Sequence, residues 1–573
     1  QSSTCREFVD AAVAYTNQPQ FKDLEPNYQK VVHETINSAK RRGVFLSDDD
    51  KRLLATYFNS VRQIQLRYDA NCRNSDAVVC LTYDLEALDG LPQFALDAMR
   101  DGDKYVATVH NGGIDYIMQF ANVESTRKDA YNVSLKHGIV SKKEDNRLLA
   151  KQIVAIRQQI AHLLGYDNHA HYILSKNRMA ENVDNVHKLL DDIADRTLKT
   201  AREDVAKLET YGKYTLKRKP KFHDRGFIRA KYMREYLQFD PNDLREYFTM
   251  ESVMNGLFKF VESCFDVKIK NTGKFHPLSN MHEDISAYEI VGDHGVSVLF
   301  FDLYSRPGKS HGGWMNPLQS YSVSDGICYF EDERIHFSGT KAAAMIVCNF
   351  NKGVGLTMGD VTTLFHEMGH ALQHLLSNVD GAYSGISGIE WDAVELASQF
   401  MEFFCYEASV INSIAAKPLP QELIDKVIRS KNFMTAGGFI GHVRYGKLDM
   451  LTHTTHGDPN EIEHQVWEQY KLYDSGIDKR SSVCAGFSHI FTGGYAAGYY
   501  SYLWAEVFAA DAYYAVKEAK ESSYISEDAV KKVLSSYKNN ILTTGGVNSM
   551  NINFTNFRGR TADPKYLLDF YNI

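Results

Sequence analysis

Apolar residues recur three and four apart through most of the first 290 positions. This spacing predicts amphipathic helices, for example over Lys51–Arg67, Asn146–Leu164 and Val183–Leu208. Between about Ile285 and Phe350 the pattern changes. Val296–Tyr304 and Ala343–Asn349 are short apolar runs flanked by Gly, Pro and Ser, as strands of a small sheet would be. Ala343–Asn349 is expected to be free to pair with an extended peptide. From Thr357 the helical period returns and continues nearly to the end. Only 12 prolines interrupt the chain, which favours long helices over a many-turned β architecture. The fold class expected is mainly α with one small sheet. Residues 1–115 form an N-terminal helical region and 116–573 the larger unit, with segments 357–406 and 484–508 carrying the candidate chemistry.

Composition narrows the functional classes. The chain has 573 residues, 44% of them hydrophobic and 24% charged, the balance of an ordinary globular protein. A formal net charge of -8 gives no basic surface for nucleic acid or an anionic membrane. No apolar run approaches the ~18 residues of a membrane span. The N-terminus has neither the basic start nor the apolar stretch of a signal peptide. The eight cysteines are scattered without a CxxC pair, the usage of a reducing compartment. An intracellular protein is expected, cytoplasmic or in an organelle matrix such as a mitochondrion or plastid if a targeting segment precedes the sequence.

The decisive segment runs from Thr357 to Leu376. Thr357 and Asp360 form a capping-box-like start, and Val361, Leu364, Phe365, Met368, Leu372 and Leu375 make an apolar stripe. His366 and His370 fall four apart on the opposite face, about 6 Å of rise, so two imidazoles converge on one ion. Glu367 lies beside that ion and is the candidate base for an attacking water. His-Glu-x-x-His also arises by chance in a chain with 21 histidines, so a third ligand is needed. SGISGIEWDAVELASQFMEFF reads as a loop followed by a helix from near Trp391, with Glu395, Gln399, Glu402 and Tyr406 on one face. Bulky Trp391, Val394, Phe400, Phe403 and Phe404 surround these acids and argue for burial, and a buried carboxylate needs a partner. Glu395 is the leading third ligand and Glu402 the next.

HEMGHALQH followed by SGISGIEWDAVELASQFME resembles the thimet oligopeptidase and oligopeptidase A family of zinc metallopeptidases, nearest the oligopeptidase A branch. FDLYSRPGKSHGGWM, MIVCNFN, FSHIFTGGYAAGYYSYLWAEVFAADAY and FRGRTADPKYLLDFY extend the resemblance, which runs more weakly back to about residue 30. It implies an elongated, two-lobed helical ellipsoid with zinc on the floor of a deep channel. It also implies Glu395 as third zinc ligand and Asp392 and Glu402 as acids supporting the two histidines. Two features depart from the family: its N-terminal region is usually longer, and Lys219–Tyr247 lacks the Pro-Trp-Asp and Tyr-Tyr signature usual there.

Gly493-Gly494 breaks the chain before Tyr495, Tyr499 and Tyr502, which recur at helical spacing downstream of His489. Aromatic residues at that spacing are commonly core. Peptide hydrolysis, however, needs donors for the tetrahedral oxyanion, and the resemblance gives that role to His489, Tyr495 and Tyr502. Tyr499 and the glycines at 385, 388 and 494 are candidate substrate contacts. The implied protein is a monomeric zinc oligopeptidase cutting internal bonds of short peptides. The alternatives are a dipeptidyl carboxypeptidase and a non-catalytic peptide-binding subunit on the same fold.

Overall fold

The structure, a computed structural model, describes residues 5–573 except 110, 140, 239, 273–280, 294, 307–308, 310–311, 323–328, 332–333, 337–340, 477 and 522–525. Pro307, Gly308, Ser310 and His311 of the family-like FDLYSRPGKSHGGWM segment therefore lie outside the described residues.

Long helices occur where the apolar period predicts them. Asp48–Val78 begins at the Ser47 cap, whose hydroxyl accepts the Asp50 N–H, and has three aspartates in its first turn. It packs on Asn146–Leu163. Val183–Leu216, capped by Asn182, packs on Thr435–Thr454. These helices and the C-terminal ones share one core that runs from Leu54 to Phe570. A smaller core joins Val79, Leu88, Met99, Ile114, Ile117 and Ala130, drawing on both sides of position 115.

The main sheet has five strands in the order Lys268–Asn271, Ser286–Gly292, Gly295–Tyr304, Ala343–Phe350, Trp314–Gln319. Ala343–Phe350 pairs in parallel with Gly295–Tyr304 (Ile346 opposite Phe301) and antiparallel with Trp314–Gln319 (Val347 opposite Trp314). Both of its edges are thus used, which corrects the expectation that Ala343–Asn349 is free to receive a peptide. Among the described residues the sheet's two edge strands are Lys268–Asn271 and Trp314–Gln319, and the latter is the edge beside Ala343–Phe350. Its Gly-Gly start and internal Pro317 hide it as a strand in the sequence, yet an edge is where a strand tolerates proline. The sheet packs against the helix Met358–Leu375, which puts that helix between the sheet and the helices that follow.

One buried ionic cluster fixes the segment that lacks the family's signature. The carboxylate of Asp224 is fully buried and accepts hydrogen bonds from Arg127 Nη2 (2.8 Å), Arg218 Nη1 (2.6 Å) and the Lys221 N–H (2.9 Å). Burial opposes its charge, but Arg218, Lys221 and Arg127 outweigh it and hold its pKa down to about 2. Asp224→Ala leaves the buried Arg127 without its counter-charge, and the expected cost is about 3–5 kcal/mol, read as a lower midpoint of thermal or urea unfolding. Because the folded-state pKa lies below the ordinary carboxylate value of about 3.9, this contribution is complete above pH ~4. It is lost as pH falls through about 2, so the gap between wild type and variant should close over that interval.

Candidate active site

The helix Met358–Leu375 starts at a true capping box: the Asp360 N–H donates to Thr357 Oγ1 (3.2 Å) and the Thr357 N–H to Asp360 Oδ2 (2.8 Å). Val361, Leu364, Phe365, Met368, Leu372 and Leu375 are all buried, as their stripe predicts. The opposite face is covered too, by Glu395–Phe404, which follows a short turn at Trp391–Ala393. Gly369 makes this contact possible. A Cβ there would meet the Ala397 carbonyl oxygen at 2.3 Å and the Ser398 Cα at 2.6 Å, so any larger residue would push the second helix away.

That close approach carries Glu395 between the two histidines. Its Oε2 lies 3.3 Å from His366 Nε2 and 3.2 Å from His370 Nε2, and the three donor atoms lie within 4.8 Å of one another. Four ligands about 2.0–2.1 Å from a tetrahedral ion stand about 3.3 Å apart. The spacing and the chemistry of two imidazoles and one carboxylate therefore fit a metal ion. Glu395 is 9% exposed and His370 8%. Burial opposes the charge of Glu395, but His366 and His370 hold its carboxyl well below the usual carboxylate range. His366 is likewise opposed by burial, yet Glu395 and Glu402 raise its pKa to about 10. Without an ion, a proton on His366 supplies positive charge that this carboxylate needs.

The supporting acids divide their work differently from the expectation. Glu402 Oε1 stands 2.6 Å from His366 Nδ1, the ring atom facing away from the shared centre. Asp392 touches neither histidine. Fully buried, it accepts the N–H groups of Met179 (2.8 Å) and Ala180 (3.1 Å) and the Tyr500 hydroxyl (2.8 Å). It ties the start of its helix to a loop more than two hundred residues earlier. His374, next on the imidazole ridge, donates from Nε2 to the Gln319 carbonyl at 2.9 Å and anchors the edge strand Trp314–Gln319. Glu367 is 4% exposed, and its Oε2 has no hydrogen-bond partner among the described residues. Burial raises its pKa. Gly313 leaves room beside it: a Cβ there would stand 3.5 Å from Glu367 Oε1.

A cavity of about 600 Å³ opens over these groups, lined also by Trp314, Met315, Ile386, Ile389, Trp391, Tyr495 and Tyr502. Tyr495 and Tyr502 stack with ring centroids 5.0 Å apart, and burial raises both pKa values, so both phenols keep their protons. His489 stands 5.8 Å, ring to ring, from Tyr495 on the exposed side, and Tyr499 packs among His442, Tyr445 and Phe487. Neither lines the cavity. Gly385 and Gly388 also lie behind its wall. A Cβ on Gly385 would meet His374 Nδ1 at 2.3 Å and one on Gly388 the Tyr383 backbone at 2.6 Å, while Ile386, Ser387 and Ile389 form the surface. A Cβ on Gly494 would stand 3.4 Å from the Trp391 ring.

The tyrosine segment is a run of turns before the helix Ser501–Glu521, with Ala497 at φ 49°. Residues that sequence periodicity did not single out hold it. The buried Asp449 carboxylate accepts the N–H groups of Ala497 (2.8 Å), Gly498 (2.8 Å) and Tyr499 (2.9 Å). Arg157 donates to the carbonyls of Ile490 (2.6 Å) and Phe491 (2.8 Å), and His453 lies between Asp449 and Arg157, 2.9 and 3.0 Å from them. The only hint in the sequence was that Arg157 and Asp449 interrupt apolar helical stretches.

Oligopeptidase A of Salmonella typhimurium is 28% identical over 96% of this chain and 82% of its own length. Organellar oligopeptidase A, chloroplastic/mitochondrial, of Arabidopsis thaliana is 29% identical over 98% of this chain and 74% of its own. The solved structure of PZ peptidase A with inhibitor 2 shares the fold, with a TM-score of 0.59 at 16% identity, over 99% of this chain and 84% of that one. The profile described as peptidase family M3 matches residues 117–573, a span that holds the three candidate metal ligands, Glu367 and the tyrosine segment, and the chain belongs to that family.

Proposed function

We propose that this chain is a zinc metallo-oligopeptidase that hydrolyses internal bonds of short, unstructured peptides, with His366, His370 and Glu395 as the ligands and Glu367 as the base. The observation that carries the reading is the convergence of two imidazole nitrogens 3.2–3.3 Å from one Glu395 oxygen, all three donors within 4.8 Å of one another, beside a buried carboxylate with an unused oxygen. Two imidazoles and one carboxylate form the donor set of catalytic zinc with one position open. When bound, the ion supplies Lewis-acid polarisation of the peptide carbonyl and of the attacking water. Glu367 accepts the proton of that water, its basicity raised by burial, and returns it to the leaving amine. Glu402 holds His366 through Nδ1. Tyr495 and Tyr502 donate their hydroxyl protons to the oxyanion. His489, 5.8 Å ring to ring from Tyr495, and Tyr499 are assigned to the same oxyanion and substrate contacts in this reading.

Trp314–Gln319 offers its open edge to the peptide backbone in place of the buried strand beside it. A peptide held there must enter extended, and ligands this deeply buried are out of reach of a folded protein. The described cysteines are free thiols, in keeping with an intracellular compartment, cytoplasmic or organellar. Among the described residues no helix is long and apolar enough to cross a membrane. We take the working unit to be a monomer.

Glu367→Gln should retain a stoichiometric ion by elemental analysis yet keep less than about 1% of peptide turnover, since a positioned base contributes about 10²–10⁴-fold. Glu395→Ala should lose the ion on dialysis against a weak chelator; a bound ion in that variant would move the third ligand elsewhere. Tyr502→Phe, which removes one hydroxyl and almost no volume, should keep fold and metal while kcat falls about 10²–10³-fold with KM little changed. An unchanged kcat would return Tyr502 to the core.

A further inference from the structure

The wall of the cavity contributed by Lys176, Asn177 and Arg178 carries charge that the hydrolytic chemistry above does not use. These residues follow the short helix His169–Leu174. Asn177 takes a left-handed backbone at φ 63°, a conformation uncommon outside glycine. Immediately afterwards the N–H groups of Met179 and Ala180 are tied to the buried Asp392. The turn is therefore fixed to the start of the helix that carries Glu395, and its two cations are held at a set place in the cavity.

Neither cation has a carboxylate within ion-pair distance among the described residues. Arg178 is partly buried, its guanidinium lies over the Trp391 ring at 5.8 Å, and its Nε is buried without a hydrogen-bond partner. Asp392, whose charge is felt by Arg178, has its oxygens engaged by two backbone N–H groups and the Tyr500 hydroxyl. The Lys176 ammonium lies over Tyr172 at 4.1 Å. Burial, and then the charges of Arg178, Arg41 and Arg157, lower its pKa to about 8. Arg41 and Arg157 are themselves occupied, the first by Glu34 and the Ser175 carbonyl, the second by two carbonyls of the tyrosine segment. Clustered, half-buried cations without counter-charge are costly to maintain, and an arriving carboxylate would relieve that cost while meeting the planar fork of an arginine.

We propose that Lys176 and Arg178 form an anion subsite that takes a carboxylate of the bound peptide, so that peptides presenting one there are the preferred substrates. This inference rests on the peptidase reading above. Two sources supply the same group: an acidic side chain near the scissile bond, or the free C-terminus of a short peptide.

The test uses the full chain loaded with metal and one quenched fluorescent peptide sequence in four forms. These are neutral with a free C-terminus, neutral and amidated, and each of the two with a Glu near the cleaved bond. Both kcat/KM and Kd are measured, for wild type and for Lys176→Gln/Arg178→Gln. The expected result is a wild-type preference of about 10–100-fold for the form carrying the recognised carboxylate, the range of a charge-assisted hydrogen bond. That ratio should collapse towards one in the double variant. Loss of the preference on amidation alone identifies the terminal carboxylate; loss on removing Glu alone identifies the side chain. Arg178→Glu should reverse the order in favour of a Lys-bearing peptide, which separates charge recognition from misfolding. Equal values for all four forms in wild type, or an unchanged ratio in the double variant, overturn the inference. If no form is cleaved, the peptidase reading fails, and the four Kd values still decide the subsite.

Discussion

Two helices, Met358–Leu375 and Glu395–Phe404, approach each other more closely than side chains normally permit, and Gly369 removes the Cβ that would otherwise strike the Ala397 carbonyl. The contact lowers Glu395 between His366 and His370. Taking a carboxylate out of water costs several kcal/mol unless opposite charge meets it; here a protonated His366, or an ion held by the two imidazoles, meets it. Helix packing, donor spacing and charge balance are therefore one constraint. The same second helix fixes itself at both ends: Asp392 ties its start to Met179 and Ala180, and Glu402, two turns on, reaches back to His366 Nδ1.

The cavity walls are held by groups that take no part in the proposed chemistry. His374 secures the edge strand Trp314–Gln319 through the Gln319 carbonyl. Asp449 collects three consecutive N–H groups beneath the tyrosine segment, and Arg157 takes the two carbonyls just before it. A transition state is stabilised only by donors already aimed at it, so buried hydrogen bonds that fix a backbone are part of what makes Tyr495 and Tyr502 useful. His489 and Tyr499 belong to the same segment but stand outside the cavity lining.

The cavity lining carries charge of both signs. Glu367 and Glu395 line it with the two histidines, and Lys176 and Arg178 line it too, without ion-paired carboxylates of their own among the described residues. Asp392, which does not line it, is met locally by backbone N–H groups and Tyr500. A peptide in the cavity meets charge of both signs as well as a shape.

Local regularities determined a good deal of this protein from sequence alone. The 3.6-residue period gave the long helices, and Thr357 with Asp360 gave the start of the helix bearing His366 and His370. The four-residue spacing of those histidines gave the metal chemistry, because one helical turn is a property of the local backbone. The third ligand was within reach, since Glu395 sits among bulky apolar residues that demand burial. Only the tertiary structure decided that Ala343–Phe350 is an inner strand, that Asp392 serves a distant loop, that Gly385 and Gly388 are packing positions, and that Asp449 and Arg157 grip the tyrosine turns. It also decided that Lys176 and Arg178 share the cavity. Those outcomes depend on pairings between residues tens to hundreds of positions apart. No local period encodes such a pairing, which exists only once packing has chosen which surfaces meet.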